Sequence, residues 1–317
     1  MTGPVVVLSG GVGGAKLVLG LSRVLDPAKL TVIANTGDDF LHLGFAISPD
    51  IDTILYTLAG LVDPERGWGR RNETWKFMEA IEHLGGETWF RLGDADLALH
   101  VERTRRLAGG APLSEITAHL ARRLGVGPHV LPMSDDPVRT RLGTDEGWLD
   151  FQDYFVRRRC EPAVREIRYE GADAAAPSAA VLAALGDPRL RAIIIGPSNP
   201  LLSIGPILAI PGIRAALANR SVPVVAVSPI IAGQAIKGPT TSMMRELGLP
   251  ASAEEVARSY EGLIDAFVVD PVDSKAVFPP AIRVVAAPAL MKTIEDREQL
   301  ASAALAAADG LAHAPSV

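Results

Sequence analysis

Apolar residues along this chain fall in short unbroken runs. The runs at 5–8, 31–34, 192–195, 222–227, 266–269 and 283–286 are rich in Val, Ile and Ala, and polar residues do not take every second position. A strand with one solvated face alternates; a strand covered on both faces does not. The pattern predicts buried strands of a mainly parallel sheet. Stretches with helical spacing separate many of them, at 15–25, 178–185, 212–218, 253–263 and 295–308. Strand and helix in alternation predict a doubly wound α/β core.

The middle of the chain breaks this rhythm. Between 68 and 124 there are helical patterns at 73–83, 96–107 and 113–124 but no good strand run, and Trp68, Trp75, Trp89 and Phe90 all fall there. This segment reads as a helical insertion lying over the carboxyl ends of the strands. The core is then 1–67 plus 125–312, with short β-like pieces near 129–132 and 164–169, and 313–317 is a flexible tail.

The first strand runs into Ser9 and then into Gly10, Gly11, Gly13 and Gly14, with a helix expected from Ala15. Bare backbone allows positive φ and close approach of a ligand. Amides converging beside a helix N-terminus favour a phosphate. The spacing departs from the dinucleotide fingerprint, because Lys16 stands where its third glycine belongs. It departs from the Walker loop too, since Leu17 replaces the Ser or Thr that binds magnesium. The second strand ends in Asn35 and Thr36 rather than the acid that binds an NAD ribose. The loop therefore points to a nucleotide and away from a dinucleotide redox enzyme. Two readings fit Lys16: a phosphate contact or a place on the helix surface.

After the second strand come Asp38, Asp39, Asp50 and Asp52. All four belong near the carboxyl ends of the strands, where open α/β sheets bind ligands. Carboxylates beside a phosphate repel it unless a cation intervenes, and Mg²⁺ accepts one or two carboxylates together with phosphate oxygens. Asp38 and Asp50 are the candidate metal ligands, and Asp38, Asp39 and Asp50 the candidate catalytic acids. Purely structural roles also fit: Asp52 as a helix cap and Asp38 in a turn. Two more Gly- and Pro-rich loops follow the strands at 192–195 and 222–227. Asn199 and Ser203 are suited to read a base edge, and Lys237 to reach a phosphate. His42 and His100 lie near these motifs, where ordinary hydrogen-bonding roles suit them.

Composition narrows the choice of partner. No apolar run approaches the roughly 18 residues of a spanning helix, and 5–8 is too short for a signal segment. This predicts a cytoplasmic protein with no membrane partner. The net charge is −6 and only Arg157, Arg158 and Arg159 form a basic run, which argues against nucleic acid. A lone Cys160 rules out an internal disulfide and a cysteine-based metal cluster.

The stretches SGGVGGAKL, NTGDD, SPDIDTILYTLAG, RLGDADLALH, LPMSDDPVRT, IGPSNPLLSIGPI and SPIIAGQAIKGPT resemble the 2-phospho-L-lactate transferase family of coenzyme F-420 biosynthesis, from Val5 to about Asp270. The resemblance implies a Rossmann-like core and a homodimer. It implies Mg²⁺-dependent transfer of a phosphorylated three-carbon acid (phospholactyl, phosphoenolpyruvyl or phosphoglyceryl) from a guanosine diphosphate conjugate to the deazaflavin Fo, with GMP leaving. It places the donor diphosphate on Gly10 to Gly14, guanosine near Asn199 and Ser203, and the deazaflavin on Asp52 and Arg91. Two rival readings stand beside it: a non-catalytic nucleotide-sugar-binding regulator of the same superfamily, which also carries a glycine loop and an acidic loop, and a plain nucleotidyltransferase.

Overall fold

The computed structural model describes residues 3–236 and 238–312. Seven strands form the main sheet: β1 (Val5–Ser9), β2 (Leu30–Ala34), β3 (His129–Pro132), β4 (Ala192–Ile195), β5 (Val224–Val227), β6 (Ala266–Val269) and β7 (Arg283–Ala286). Their order is β7-β6-β5-β4-β1-β2-β3, and every neighbouring pair is parallel. The chain builds outward from β1 to β3, then crosses to the other side at β4. The sheet therefore has a topological switch point between β1 and β4, the place where such sheets open a ligand crevice.

The unbroken apolar runs follow from this position. All residues of β1, β4, β5 and β6 are buried, because helices cover both faces. Successive side chains of a strand point to opposite faces. Val5, Val7 and Ile194 pack with helix α1 (Gly11–Val24), helix α2 (Pro49–Leu58) and the long helix Ile294–Ala312. Val6, Leu8 and Ile193 pack on the other face with Ile207, Ile213 and Val256. The edge strand β7 is only partly buried.

Several boundaries differ from the sequence reading, each for a local reason. Helix α1 begins at Gly11, not Ala15, so three of the four glycines lie inside its first turn. The strand expected from 222 begins at Val224, after Pro223, which has no N–H to pair. Within 68–124 the helices are α3 (Lys76–His83), α4 (Asp94–Ala108) and α5 (Leu113–Arg123). Residues 139–170, assigned to the core, hold a separate three-stranded antiparallel sheet: Gly147–Asp150, Arg139–Thr144 and Val164–Glu170, in that order. Its last strand reads Val-Arg-Glu-Ile-Arg-Tyr-Glu, with one face exposed, as expected where a helix covers only one side. Lys237 and the tail 313–317 lie outside the described residues. No single described helix is long and apolar enough to cross a membrane.

Helix α1 and the helix Ile294–Ala312 approach so closely that a Cβ on Gly20 would lie 2.2 Å from the carbonyl oxygen of Arg297. Backbone cannot swing aside as a side-chain tip can. Gly20→Ala should therefore destabilise the fold by about 1–3 kcal/mol, the usual cost of overpacking. Urea unfolding checks this; an unchanged midpoint would show that the two helices are free to separate.

Candidate active site

At the switch point the loop after β1 meets the loop after β4. The Gly10 N–H donates to Ser198 Oγ (3.1 Å), and the same hydroxyl donates to the Gly10 carbonyl (2.7 Å). The glycines make this meeting possible. A Cβ on Gly13 would lie 2.4 Å from the Pro197 carbonyl oxygen. On Gly14 it would lie 2.3 Å from Ser9 Oγ and 2.4 Å from Ser198 Oγ, and on Gly10 2.3 Å from Asp50 Oδ2. Three of the four are thus bare for the packing of one loop on another. Gly11 alone of the four has positive φ, at 63°, and a Cβ there would meet nothing closer than 3.8 Å. Its N–H, the first of α1, donates to Asp50 Oδ1 (2.6 Å). The helix N-terminus accordingly already carries a carboxylate from within the chain.

Asp50 belongs to a buried acidic cluster. Asn35, at the end of β2, donates through Nδ2 to Asp38 Oδ1 (2.8 Å) and Asp50 Oδ2 (2.9 Å). Its own Oδ1 accepts from the Gly37 N–H (2.8 Å). Burial, then the charges of Asp50 and Asp39, push Asp38 well above the usual carboxylate range. Burial raises Asp50 to about 6 against the hydrogen bonds from Asn35 and Gly11. It raises Asp39 to about 7 against the hydrogen bond from Ser48 Oγ (2.8 Å) and the charge of Arg103. Asp39 Oδ1 is buried with no hydrogen-bond partner among the described residues.

Asp52 is no helix cap. Ser48 occupies the N-cap position of α2, and Asp52 lies in its first turn. Its carboxylate forms a two-pronged ion pair with Arg103 of α4, through Nη2 to Oδ1 and through Nη1 to Oδ2 at 3.1 Å. His100 Nδ1 stands 3.7 Å from the same carboxylate, and His100 Nε2 stands 3.2 Å from Asp96 Oδ2. Asp96 Oδ1 accepts from the Tyr56 hydroxyl (2.5 Å).

Arg91 stacks over the ring of Trp75 at 4.2 Å, not over its sequence neighbours. Trp89 and Phe90 instead pack against Phe40 and His42, and Arg157 covers Trp89 at 4.5 Å. Lys16 Nζ donates to the Met291 carbonyl (3.0 Å). Asn199 spends its Oδ1 on the N–H groups of Leu201 (2.8 Å) and Leu202 (3.1 Å).

These groups surround one cavity of about 720 Å³, within the range of small-molecule sites. Asp38, Asp50, Asp52, Arg91, Asn199 and Ser203 line it, as do Gly10, Gly11, Gly13, Lys16 and Met291; Asp39 and Gly14 do not. Asn35, Ser198 and Arg103 organise this site but were not among the sequence candidates. For Arg103 a signal existed: Asp96, His100 and Arg103 recur at i, i+4 and i+7 and so share one face of α4.

An open parallel sheet with a ligand cleft at its switch point defines a Rossmann-like α/β protein. Residues 5–293 match the family described as 2-phospho-L-lactate transferase CofD, and the chain belongs to that family. It is a transferase of coenzyme F-420 biosynthesis. It is 41% identical to a phosphoenolpyruvate transferase of Streptomyces griseus, over 96% of this chain and 98% of that one. It is 39% identical to the 2-phospho-L-lactate transferase of Methanosarcina mazei, over 84% and 87%. A UPF0052 family protein of Bacillus halodurans shares the fold at a TM-score of 0.64 and 15% identity, covering 96% of this chain and 99% of that one. The family match extends past Asp270 and takes in Met291 at the cavity wall.

The glycines should separate experimentally. Gly13→Ala and Gly14→Ala should each lower unfolding stability by about 1–3 kcal/mol through overpacking. Gly11→Ala should cost about 1–2 kcal/mol, the strain of a left-handed residue. Chemical denaturation of the three variants tests this, and native stability in Gly13→Ala would contradict the packing role.

Proposed function

We propose that the protein transfers a phosphorylated three-carbon acid from its guanosine diphosphate conjugate to the deazaflavin Fo, releasing GMP. The observation that carries this reading is the buried Asp38–Asn35–Asp50 cluster beside the Gly11 N–H, within a cavity that Arg91 and Asp52 also line. The donor phosphates lie along Gly10 and Gly11, with guanosine toward Asn199 and Ser203. The deazaflavin lies toward Asp52 and Arg91, whose guanidinium rests over the Trp75 ring. Gly13 and Gly14 support the cradle from behind.

In the reaction a ribityl hydroxyl of Fo attacks the phosphorus bearing the three-carbon acid. A new P–O bond forms, the bond to the GMP oxygen breaks, and the hydroxyl proton passes to a carboxylate. Such transfers depend on positioning and charge neutralisation more than on covalent catalysis. Without a bound cation, Asp50 at about 6 is poised to take up and release a proton near neutral pH, and Asp39 at about 7 does not line the cavity. Asp38 and Asp50 are also suited to Mg²⁺. The two carboxylates share one amide, burial and then the charge of Asp50 raise Asp38, and a hard cation would relieve that repulsion. That cation would neutralise charge on the donor phosphates.

Phosphoenolpyruvyl is the donor group we favour, because the relatives carrying that name match along nearly the whole chain. A cytoplasmic homodimer completes the reading.

One assay tests it. Each of the three guanosine diphosphate conjugates is offered with Fo, and products are weighed by mass spectrometry. The phosphoenolpyruvyl donor should give the adduct with one GMP released per turnover; GMP release that ignores Fo would overturn the reading. EDTA should abolish transfer and Mg²⁺ restore it, whereas transfer surviving rigorous chelation would remove the metal from Asp38 and Asp50.

A further inference from the structure

Among the described residues Arg103 is the large charged side chain hidden most completely, with 1% of its surface exposed. It does not line the cavity; it stands behind residues that do. Both prongs of its guanidinium fall on Asp52, and Nη1 also donates to the Ala46 carbonyl (3.2 Å). Arg103 on α4 thereby ties down α2, through Asp52, and the strand Phe45–Ile47, through Ala46.

We propose that Arg103 is a positioning residue that fixes the plane of the Asp52 carboxylate for the acceptor substrate. The inference rests on the proposed contact between Asp52 and the deazaflavin. A two-pronged guanidinium contact occupies one lone pair on each carboxylate oxygen and sets the carboxylate plane. The remaining lone pairs are what a ring N–H or ribityl hydroxyl in the cavity can meet. Lysine, with a single point charge, could neutralise Asp52 but could not set its plane. Asp96, His100 and Tyr56 line the cavity beside Asp52 and connect to Arg103 through His100, so this network reaches that stretch of the wall.

A purely structural role would make Arg103 a fastener of α4, felt in stability and equally in every substrate. A positioning role acts on the acceptor through Asp52. The test uses fluorescence titration with Fo and steady-state kinetics on the full chain, with Arg103→Lys, Asp52→Asn and the double variant Asp52→Asn/Arg103→Gln. The double variant removes both charges of this pair together, so neither partner is left as an unpaired ion.

Arg103→Lys should weaken Fo binding and raise the acceptor KM by about ten-fold, within the coupling usual for residues in direct contact. The donor KM should stay unchanged. In the Asp52→Asn background, changing Arg103 as well should weaken Fo binding no further. Native Fo affinity in Arg103→Lys overturns the inference, as does an added loss in the double variant over Asp52→Asn. If Asp52→Asn binds Fo normally while transfer to Fo proceeds, the inference falls and the proposed reaction stands. If the native chain neither binds Fo nor transfers to it, the reaction falls and takes the inference with it.

Discussion

The Ser198 hydroxyl is clamped between the N–H and the C=O of Gly10, a residue 188 positions away in sequence. That contact joins β1 to β4 where the sheet reverses its order, and it needs backbone without side chains on one side. Gly13 and Gly14 supply it, at distances that leave no room for a methyl group. From this junction the rest of the site takes its coordinates. Helix α1 starts there, its first N–H holds Asp50, and Asp50 shares Asn35 with Asp38. Loops that stood one methyl farther apart would move a helix end and two carboxylates together.

The acidic cluster is held mainly by neutral donors. Asn35, Ser48 and the Gly11 N–H reach the carboxylates, and each such bond favours the charged form. Burial outweighs them, which is why Asp39 and Asp50 stand near 7 and 6. Arg103 answers the neighbouring Asp52 instead. Burial works against the guanidinium's charge, but Asp52, joined by Asp39 and Tyr56, more than offsets it and raises Arg103 above the ordinary arginine value. Two carboxylates two residues apart thus live in different electrostatic settings. Asp50 faces an amide and a helix end; Asp52 faces a full positive charge.

The sheet was legible in the sequence because parallel strands covered on both faces leave unbroken apolar runs, and 192–195, 266–269 and 283–286 match β4, β6 and β7 residue for residue. The small sheet at 139–170 was legible in principle: Val164, Ile167 and Tyr169 stand among charged residues in a half-exposed strand. The glycine loop and the acidic loop stood out as the candidate site from their place after buried strands, and residues of both line the cavity. The sequence could not say what the bare backbone faced, because Pro197 and Ser198 arrive from across the sheet. Nor did it expose Arg103, flanked by Glu102, Arg105 and Arg106 in what reads as a solvated helix face. Only helical register connects it to His100 and Asp96.

Because Asp50 already accepts the Gly11 N–H, the cradle of the free protein is never bare. On the proposed reading, an incoming phosphate oxygen would not fill an unsatisfied amide at Gly11; it would displace or share an acceptor that is already charged. The gain at that atom is the difference between two anions, and a difference is small where the hydrogen bonds are alike. On that reading, a phosphate group alone would gain little at this one amide over what water offers it. Discrimination among ligands would then fall to whatever extends beyond the phosphate, toward the cavity walls at Asn199 and Ser203 on one side and Asp52 and Arg91 on the other.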